Sequence, residues 1–284
     1  MAATIIDGKK VAADIKEKLK KEVDELKSKG VNPALSVVLV GENPASKKYV
    51  ANKEKTCEAL GIKSVAYKLP ESATQEELLK LVDELNANPE IHGILVQLPL
   101  PKHMNEKEVM HRIAPEKDVD GFGPDALGRL LLDEPGFVPC TPHGAMKMLE
   151  AYGVDPAGKK AVIVGRSVIV GKPLALLLLR KNATVTICHS RTPDLKGECL
   201  SADILCVAVG RAHMVKGDWV KEGAAVIDIG INVNEQGKLV GDVEFDKAKE
   251  RAGWITPVPG GAGPMTIAML MYNTVEAAKA TLKA

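Results

Sequence analysis

The sequence predicts an α/β protein of two domains, the C-terminal one built around a parallel sheet. Three observations carry that expectation. Short apolar runs (LSVVLV at 35–40, AVIV at 161–164, AAVIDI at 224–229) alternate with longer segments of helical periodicity, the order that a parallel α/β sheet requires. Residues Lys160–Leu179 (KAVIVGRSVIVGKPLALLLL) read as a buried strand, a tight glycine turn and the opening of a helix. Pro139–Gly144 (PCTPHG) interrupts the chain near its middle, with two prolines bracketing a turn.

Taken in order, Val11, Ile15, Leu19, Val23 and Leu26 recur at helical spacing, and Gly30 ends an exposed amphipathic helix over 11–29. Leu35–Val40 is a buried strand followed by the turn Gly41–Pro44. Ser46 is positioned to cap a helix running to Leu60, with Gly61 just beyond it. Val65–Leu69 is a second strand, Thr74 caps a helix over 75–86, and Ile91–Gln97 is a third strand ending in Leu98-Pro99-Leu100-Pro101. Residues at the carboxyl ends of parallel strands line the binding crevice. Gly41–Pro44 and Gln97–Pro101 are therefore expected around one site, with Asp118–Phe122 beside them. Beyond the boundary come a helix over 145–152, the strand–turn–helix stretch, and strands at Thr184–Cys188, Asp203–Val209 and Ala224–Ile229. A short helix over 244–251, the glycine loop Pro257–Pro264 (PVPGGAGP) and a closing helix over 265–282 complete the chain.

Composition excludes several classes of function. The 284 residues carry 38 Lys plus Arg against 37 Asp plus Glu, a net charge of +1. That balance gives no footprint for nucleic acid or an acidic membrane. No apolar run approaches the roughly 20 residues of a membrane span, and the charged N-terminal stretch is not a secretory signal. The five cysteines are scattered and form no C-x-x-C pair, and the six histidines form no H-x-x-x-H. The pattern points to a reducing, cytoplasmic setting and to no metal.

The glycine turn is ambiguous by itself. A phosphate-binding P-loop has four residues between its glycines and Ser or Thr after the Lys; here five separate Gly165 from Gly171, and Pro173 follows Lys172. Position 169 is Ile, which excludes a nucleophile elbow. The second glycine of the dinucleotide fingerprint is replaced by Ser167, so the loop reads equally as an ordinary strand-to-helix turn. Tyr49 and Lys53 are four residues apart and share a helix face. Lys47, Lys48 and Lys55 nearby make a solvated surface the plainer local reading of Lys53. Tyr49 alone reads as a core-rim residue, and Asp118 and Asp120 as turn residues. Gln97 is harder to dismiss, because an amide ending an apolar strand needs a polar partner.

Together these stretches resemble one family: the bifunctional methylenetetrahydrofolate dehydrogenase/methenyltetrahydrofolate cyclohydrolases. The matching residues are Tyr49-Val50-x-x-Lys53 with Gly61-Ile62, then Gly93–Pro101 (GILVQLPLP), Lys117–Phe122 (KDVDGF) and Pro139–Gly144. Gly165–Gly171 (GRSVIVG), Gly230-Ile231-Asn232 and Pro257–Thr266 (PVPGGAGPMT) follow in order. Ala262 departs from the pattern, where Val is expected; the change is small and apolar.

The resemblance implies a folate-binding catalytic domain over 1–138, joined by the C-terminal helix 265–284, and a Rossmann-like NADP-binding domain over 139–264. It also implies a homodimer and a place in one-carbon metabolism and purine biosynthesis. Two reactions are implied. 5,10-Methylenetetrahydrofolate gives a hydride to the nicotinamide cofactor, and water then attacks the methenyl cation to give 10-formyltetrahydrofolate. The alternative is a dehydrogenase without the hydrolytic step. By the family pattern Lys53 is the catalytic lysine, Gln97 its partner, Tyr49 the platform under the pterin and Asp120 its hydrogen-bond acceptor, with Pro259 and Gly260 at the substrate. Gly165, Arg166, Ser167, Ser190, Ile231 and Thr266 match cofactor-contacting positions.

Residue chemistry agrees with these roles. Hydride transfer needs alignment and no base. The hydrolysis needs one, and a lysine at its ordinary pKa of about 10.4 is a poor base at neutral pH. A cationic substrate beside the ammonium disfavours the charged form. NADP rather than NAD is expected because the strand end Cys188-His189-Ser190-Arg191 lacks the carboxylate that would accept a ribose 2′-hydroxyl.

Overall fold

The computed structural model describes residues 3–282; Met1, Ala2, Lys283 and Ala284, the outermost residues of the expected domain limits, lie outside the described residues. The chain divides into two compact units, one of residues 1–14 and 139–269, the other of 15–138 and 270–284. The division differs from the expected limits at both ends. Residues 1–14 group with the second half of the chain, because β1 (Thr4–Ile5), absent from the sequence expectation, pairs in parallel with a strand near residue 255. The last helix, expected whole in the other domain, is divided at 269/270.

In the 15–138 unit, α1 (Gly8–Ser28, of which 15–28 belong here) buries Leu19, Val23 and Leu26. β2 (Ala34–Val40) is the middle strand of a parallel three-stranded sheet, and every one of its residues is buried, which accounts for a run that is apolar but for Ser36. α2 (Pro44–Leu60) begins at Asn43, whose side chain accepts from the N–H groups of Ala45 and Ser46. The expected cap, Ser46, is displaced because Pro44 takes the first helical position, where no N–H is needed. Gly61 closes the helix in the left-handed conformation. β3 (Lys63–Leu69) is an edge strand and only part-buried. α3 (Gln75–Ala87) starts on Thr74 with a reciprocal bond to Glu77, a full capping box. β4 (Gly93–Val96) pairs with β2 on its other side. Two short helices, α4 (Glu106–Arg112) and α5 (Pro124–Leu131), were not expected; each is too short to show a periodic apolar stripe. The core gathers Val38, Val40, Leu78, Val82, Ile94 and Val96 between sheet and helices.

The other unit opens, after β1, with α6 (Cys140–Ala151). This helix starts at Cys140 rather than at Ala145, so the proline-bracketed motif is its first turn, where Pro142 removes no needed donor. β5 (Lys160–Val164) leads through the glycine turn into α7 (Gly171–Arg180). β6 (Thr184–Cys188), α8 (Leu195–Leu200), β7 (Ile204–Val207) and β8 (Ala225–Asp228) follow. A hairpin of β9 (Asn232–Val233) and β10 (Leu239–Val240), α9 (Phe245–Ala248) and β11 (Trp254–Ile255) precede α10 (Ala262–Ala280). The six-stranded sheet has the order β1-β11-β8-β7-β5-β6 and is parallel throughout. Its central strands β7 and β8 are wholly buried, as continuous apolar runs require, and Val162, Leu205, Val226 and Ile255 pack into one core.

Candidate active site

In the 15–138 unit, α2 and β4 bring two expected residues into direct contact. Lys53 lies on the buried stripe Ser46, Val50, Lys53, Cys57, Leu60, and only 8% of it is exposed, whereas Lys47, Lys48 and Lys55 face solvent. Local composition pointed to a solvated lysine; the helical stripe, legible in the sequence, points inward. The Lys53 Nζ donates to Gln97 Oε1 at 2.9 Å. Gln97 follows β4, and its own N–H donates to Val38 O. Its Nε2 donates to Leu98 O at 2.7 Å, which fixes the amide with its oxygen toward the ammonium. A neutral acceptor holds the lysine in place without pinning its charge as a carboxylate would. Tyr49, one turn earlier on α2, is 38% exposed. Cys57, one turn later, is no competing nucleophile, because burial pushes its thiol up to about 12.

The KDVDGF turn divides its charges by task. Lys117 Nζ donates to the carbonyls of Leu85, Asn86 and Asn88, closing the end of α3. Asp118 is buried and accepts from the N–H groups of Gly121, Phe122 and Gly123, and burial raises its carboxyl to about 6. It is the turn residue. Asp120 is half-buried on the same turn.

In the other unit, the expected cofactor residues other than Thr266 follow the carboxyl ends of strands of the parallel sheet. Gly165 follows β5 with φ +129°, and a Cβ there would lie 2.3 Å from Ala208 O. A Cβ at Gly171 would lie 2.2 Å from Gly165 O. Both glycines are therefore demanded by close backbone approach. Ser167 Oγ accepts from Val170 N–H and Gly171 N–H at the start of α7. Arg166 and Ser167 are exposed, as are Ser190 after β6 and Ile231 after β8. Thr266, in the first turns of α10, is hydrogen-bonded to Thr141 at 2.9 Å. Pro259 is exposed; Gly260, with φ +112°, accepts from Lys9 N–H. Pro259 and Gly260, expected at the substrate, thus belong to a different unit from Tyr49, Lys53, Gln97 and Asp120. Among the described residues no three His, Cys, Asp or Glu side chains are grouped to hold a metal, and no helix is long and apolar enough to cross a membrane.

Comparison with known proteins matches residues 6–120 to the tetrahydrofolate dehydrogenase/cyclohydrolase catalytic domain and residues 139–282 to the NAD(P)-binding domain of the same family. The chain belongs to the tetrahydrofolate dehydrogenase/cyclohydrolase family. The bifunctional protein FolD of Moorella thermoacetica is 61% identical over 98% of this chain and 100% of its own length. Among solved structures, the bifunctional FolD of Campylobacter jejuni superposes with a TM-score of 0.97 at 52% identity, covering 99% of this chain and all of that one. The Trypanosoma brucei FolD, solved with NADP cofactor and an inhibitor, gives 0.96 at 41% identity, covering all of both chains.

Two buried carboxylates in this family member escaped the sequence reading. Asp228 ends β8, and Asp242 follows β10; both are almost wholly buried. Burial pushes the Asp228 carboxyl up to about 7 against three N–H donors that favour its charged form. The signal was indirect: Gly230 and Gly241 each stand where a Cβ would run into the carboxylate of Asp242 or Asp228.

Proposed function

We propose that the chain oxidises 5,10-methylenetetrahydrofolate to the 5,10-methenyl form with NADP and then hydrolyses that product to 10-formyltetrahydrofolate. The observation that carries this reading is the buried Lys53–Gln97 pair, at 2.9 Å, in a member of this family. Lys53 is the base of the hydrolytic step. The methenyl group is cationic, and a cation beside the ammonium favours its loss of a proton. The neutral lysine then takes a proton from the attacking water. Gln97 holds Nζ in place through both protonation states, since an amide oxygen accepts from either. Tyr49 stacks under the pterin, and Asp120 accepts from its amino group and adjacent N–H, two parallel donors that suit a carboxylate.

The glycine turn fits a dinucleotide. The two positions where a Cβ would collide with backbone leave the loop flat against its neighbours, and α7 opens there with its positive end. Gly165, Arg166, Ser167, Ser190, Ile231 and Thr266 would hold NADP, whose nicotinamide ring supplies the hydride acceptor. Arg166 and Arg191 offer donors to a 2′-phosphate. We also assign a cytoplasmic homodimer whose product feeds purine biosynthesis; five buried cysteines, none of them in a disulfide, suit a reducing compartment.

The test follows the methenyl absorbance band after mixing enzyme, methylenetetrahydrofolate and NADP. A rise followed by decay faster than the uncatalysed rate is expected. A persistent rise would leave a dehydrogenase alone, and no rise would overturn both reactions.

A further inference from the structure

Asp242 has no part in the chemistry above, yet it gathers more backbone than any residue that does. Its Oδ2 accepts from Val209 N–H at 2.6 Å and Gly210 N–H at 2.9 Å; its Oδ1 accepts from Arg211 N–H at 2.8 Å and Asn232 Nδ2 at 2.9 Å. Val209, Gly210 and Arg211 follow β7 and Asn232 opens β9 after β8, at the carboxyl ends of the central strands, where parallel folds bind their ligands. The carboxylate is itself held, because Asp242 N–H donates to Asp228 Oδ1 at 3.0 Å. Asp228 also accepts from Gly230 N–H and Val243 N–H, and its own N–H donates to Thr256 Oγ1. Ile231 therefore lies between two residues that are tied to these carboxylates.

Three successive N–H groups turned onto one anion have a second effect. A trans peptide sends the carbonyl of residue i−1 opposite to the N–H of residue i. The Val209 and Gly210 carbonyls consequently point away from Asp242. The backbone N–H groups of residues 209–211 are thereby taken, and the carbonyls of Val209 and Gly210 are left as the backbone groups free of the carboxylate.

We propose that Asp242 is a positioning residue for the dinucleotide: it locks residues 209–211 and 230–232 in the one arrangement that receives NADP. The inference rests on the reading that Ile231 contacts the cofactor. Asp242→Asn keeps the size but turns an NH2 group toward backbone donors, so at least one loop must give up its bonds. Asn232→Ala removes a single tie and leaves the carboxylate.

The experiment measures NADP affinity by calorimetry for wild type and both variants. It adds hydrogen exchange at 209–211 and 230–232, and the rate of hydrolysis of supplied methenyltetrahydrofolate, a step that consumes no cofactor. Asp242→Asn is expected to weaken NADP by about tenfold or more and to speed exchange in both loops while hydrolysis persists. Asn232→Ala should weaken NADP less, and it keeps the test open if Asp242→Asn fails to fold. Unchanged NADP affinity in the folded variants overturns the proposal. So does a parallel loss of NADP binding and hydrolysis, which would mark the aspartate as a general support of the fold. If the wild type itself fails to bind NADP, the cofactor reading falls, an outcome distinct from either.

Discussion

Lys53 carries a role that separates the two reactions. Lys53→Met keeps the apolar stem along the buried stripe and removes the titrating nitrogen. Hydrolysis of supplied methenyltetrahydrofolate should fall by roughly 10²–10⁴-fold, while dehydrogenation survives in part, so the variant should release the methenyl compound as a lasting product. Hydrolysis near the wild-type rate would remove Lys53 from the mechanism. Arg166 sits exposed in the glycine turn, where a 2′-phosphate would meet its guanidinium. Arg166→Ala should raise KM for NADP far more than for NAD; equal effects on the two would end its claim to specificity. At this scale the sequence was informative where a residue had a local reason to be noticed. Gln97 ended an apolar strand and needed a partner, whereas the local reading of Lys53 was a solvated lysine, and only the family resemblance singled it out. Asp242 had no such reason. Its partners are spread over residues 209–232, and only the folded chain brings them to one carboxylate.

Elements were legible in proportion to their length and their caps. Thr74 marked a cap, and α3 begins there, with Glu77 completing the box in the structure. Thr74→Ala should cost about 1 kcal/mol, read as a lower urea midpoint at unchanged slope, with both activities intact at saturating substrates because α3 carries none of the proposed site residues. A change below about a few tenths of a kcal/mol would show that the Thr74 side chain is dispensable to α3. Asn43 displaced Ser46 as the start of α2 because the proline between them fixes the first turn. The two-residue strands β1 and β11 and the β9–β10 hairpin went unseen, since pairs of residues hold no periodicity. The places of β1 and β11 are set by partners far along the chain.

Across the whole molecule, buried titratable groups tie stability to pH in opposing directions. Burial, reinforced by the Lys147 ammonium, pulls partly buried His143 down to about 4 from 6.5. Between those values the unfolded chain takes up a proton that the folded chain refuses, so this group removes stability as pH falls from 6.5 toward 4. Asp118 and Asp228, raised to about 6 and 7, act the other way: their contribution is lost as pH rises through the range from about 4 to those values. Comparing His143→Gln with wild type at each pH cancels the two aspartates. The stability difference should shift in the variant's favour by roughly 2–3 kcal/mol at most between pH 7 and 4.5, measured by urea unfolding; a difference flat with pH would contradict the buried, neutral imidazole. Four strands of the six-stranded parallel sheet were readable from their apolar runs; β1 and β11, on one side of it, were not. The β1 strand sets a schedule for synthesis. Thr4 and Ile5 leave the ribosome about 250 residues before Trp254 and Ile255, their partners in register. At translation speeds of about 5–20 residues per second, the wait is on the order of tens of seconds. Throughout it the nascent chain carries an early segment that has no berth, so this edge of the sheet must be among the last features to close, and chaperones meet the polypeptide with Ile6, wholly buried in the folded chain, still uncovered.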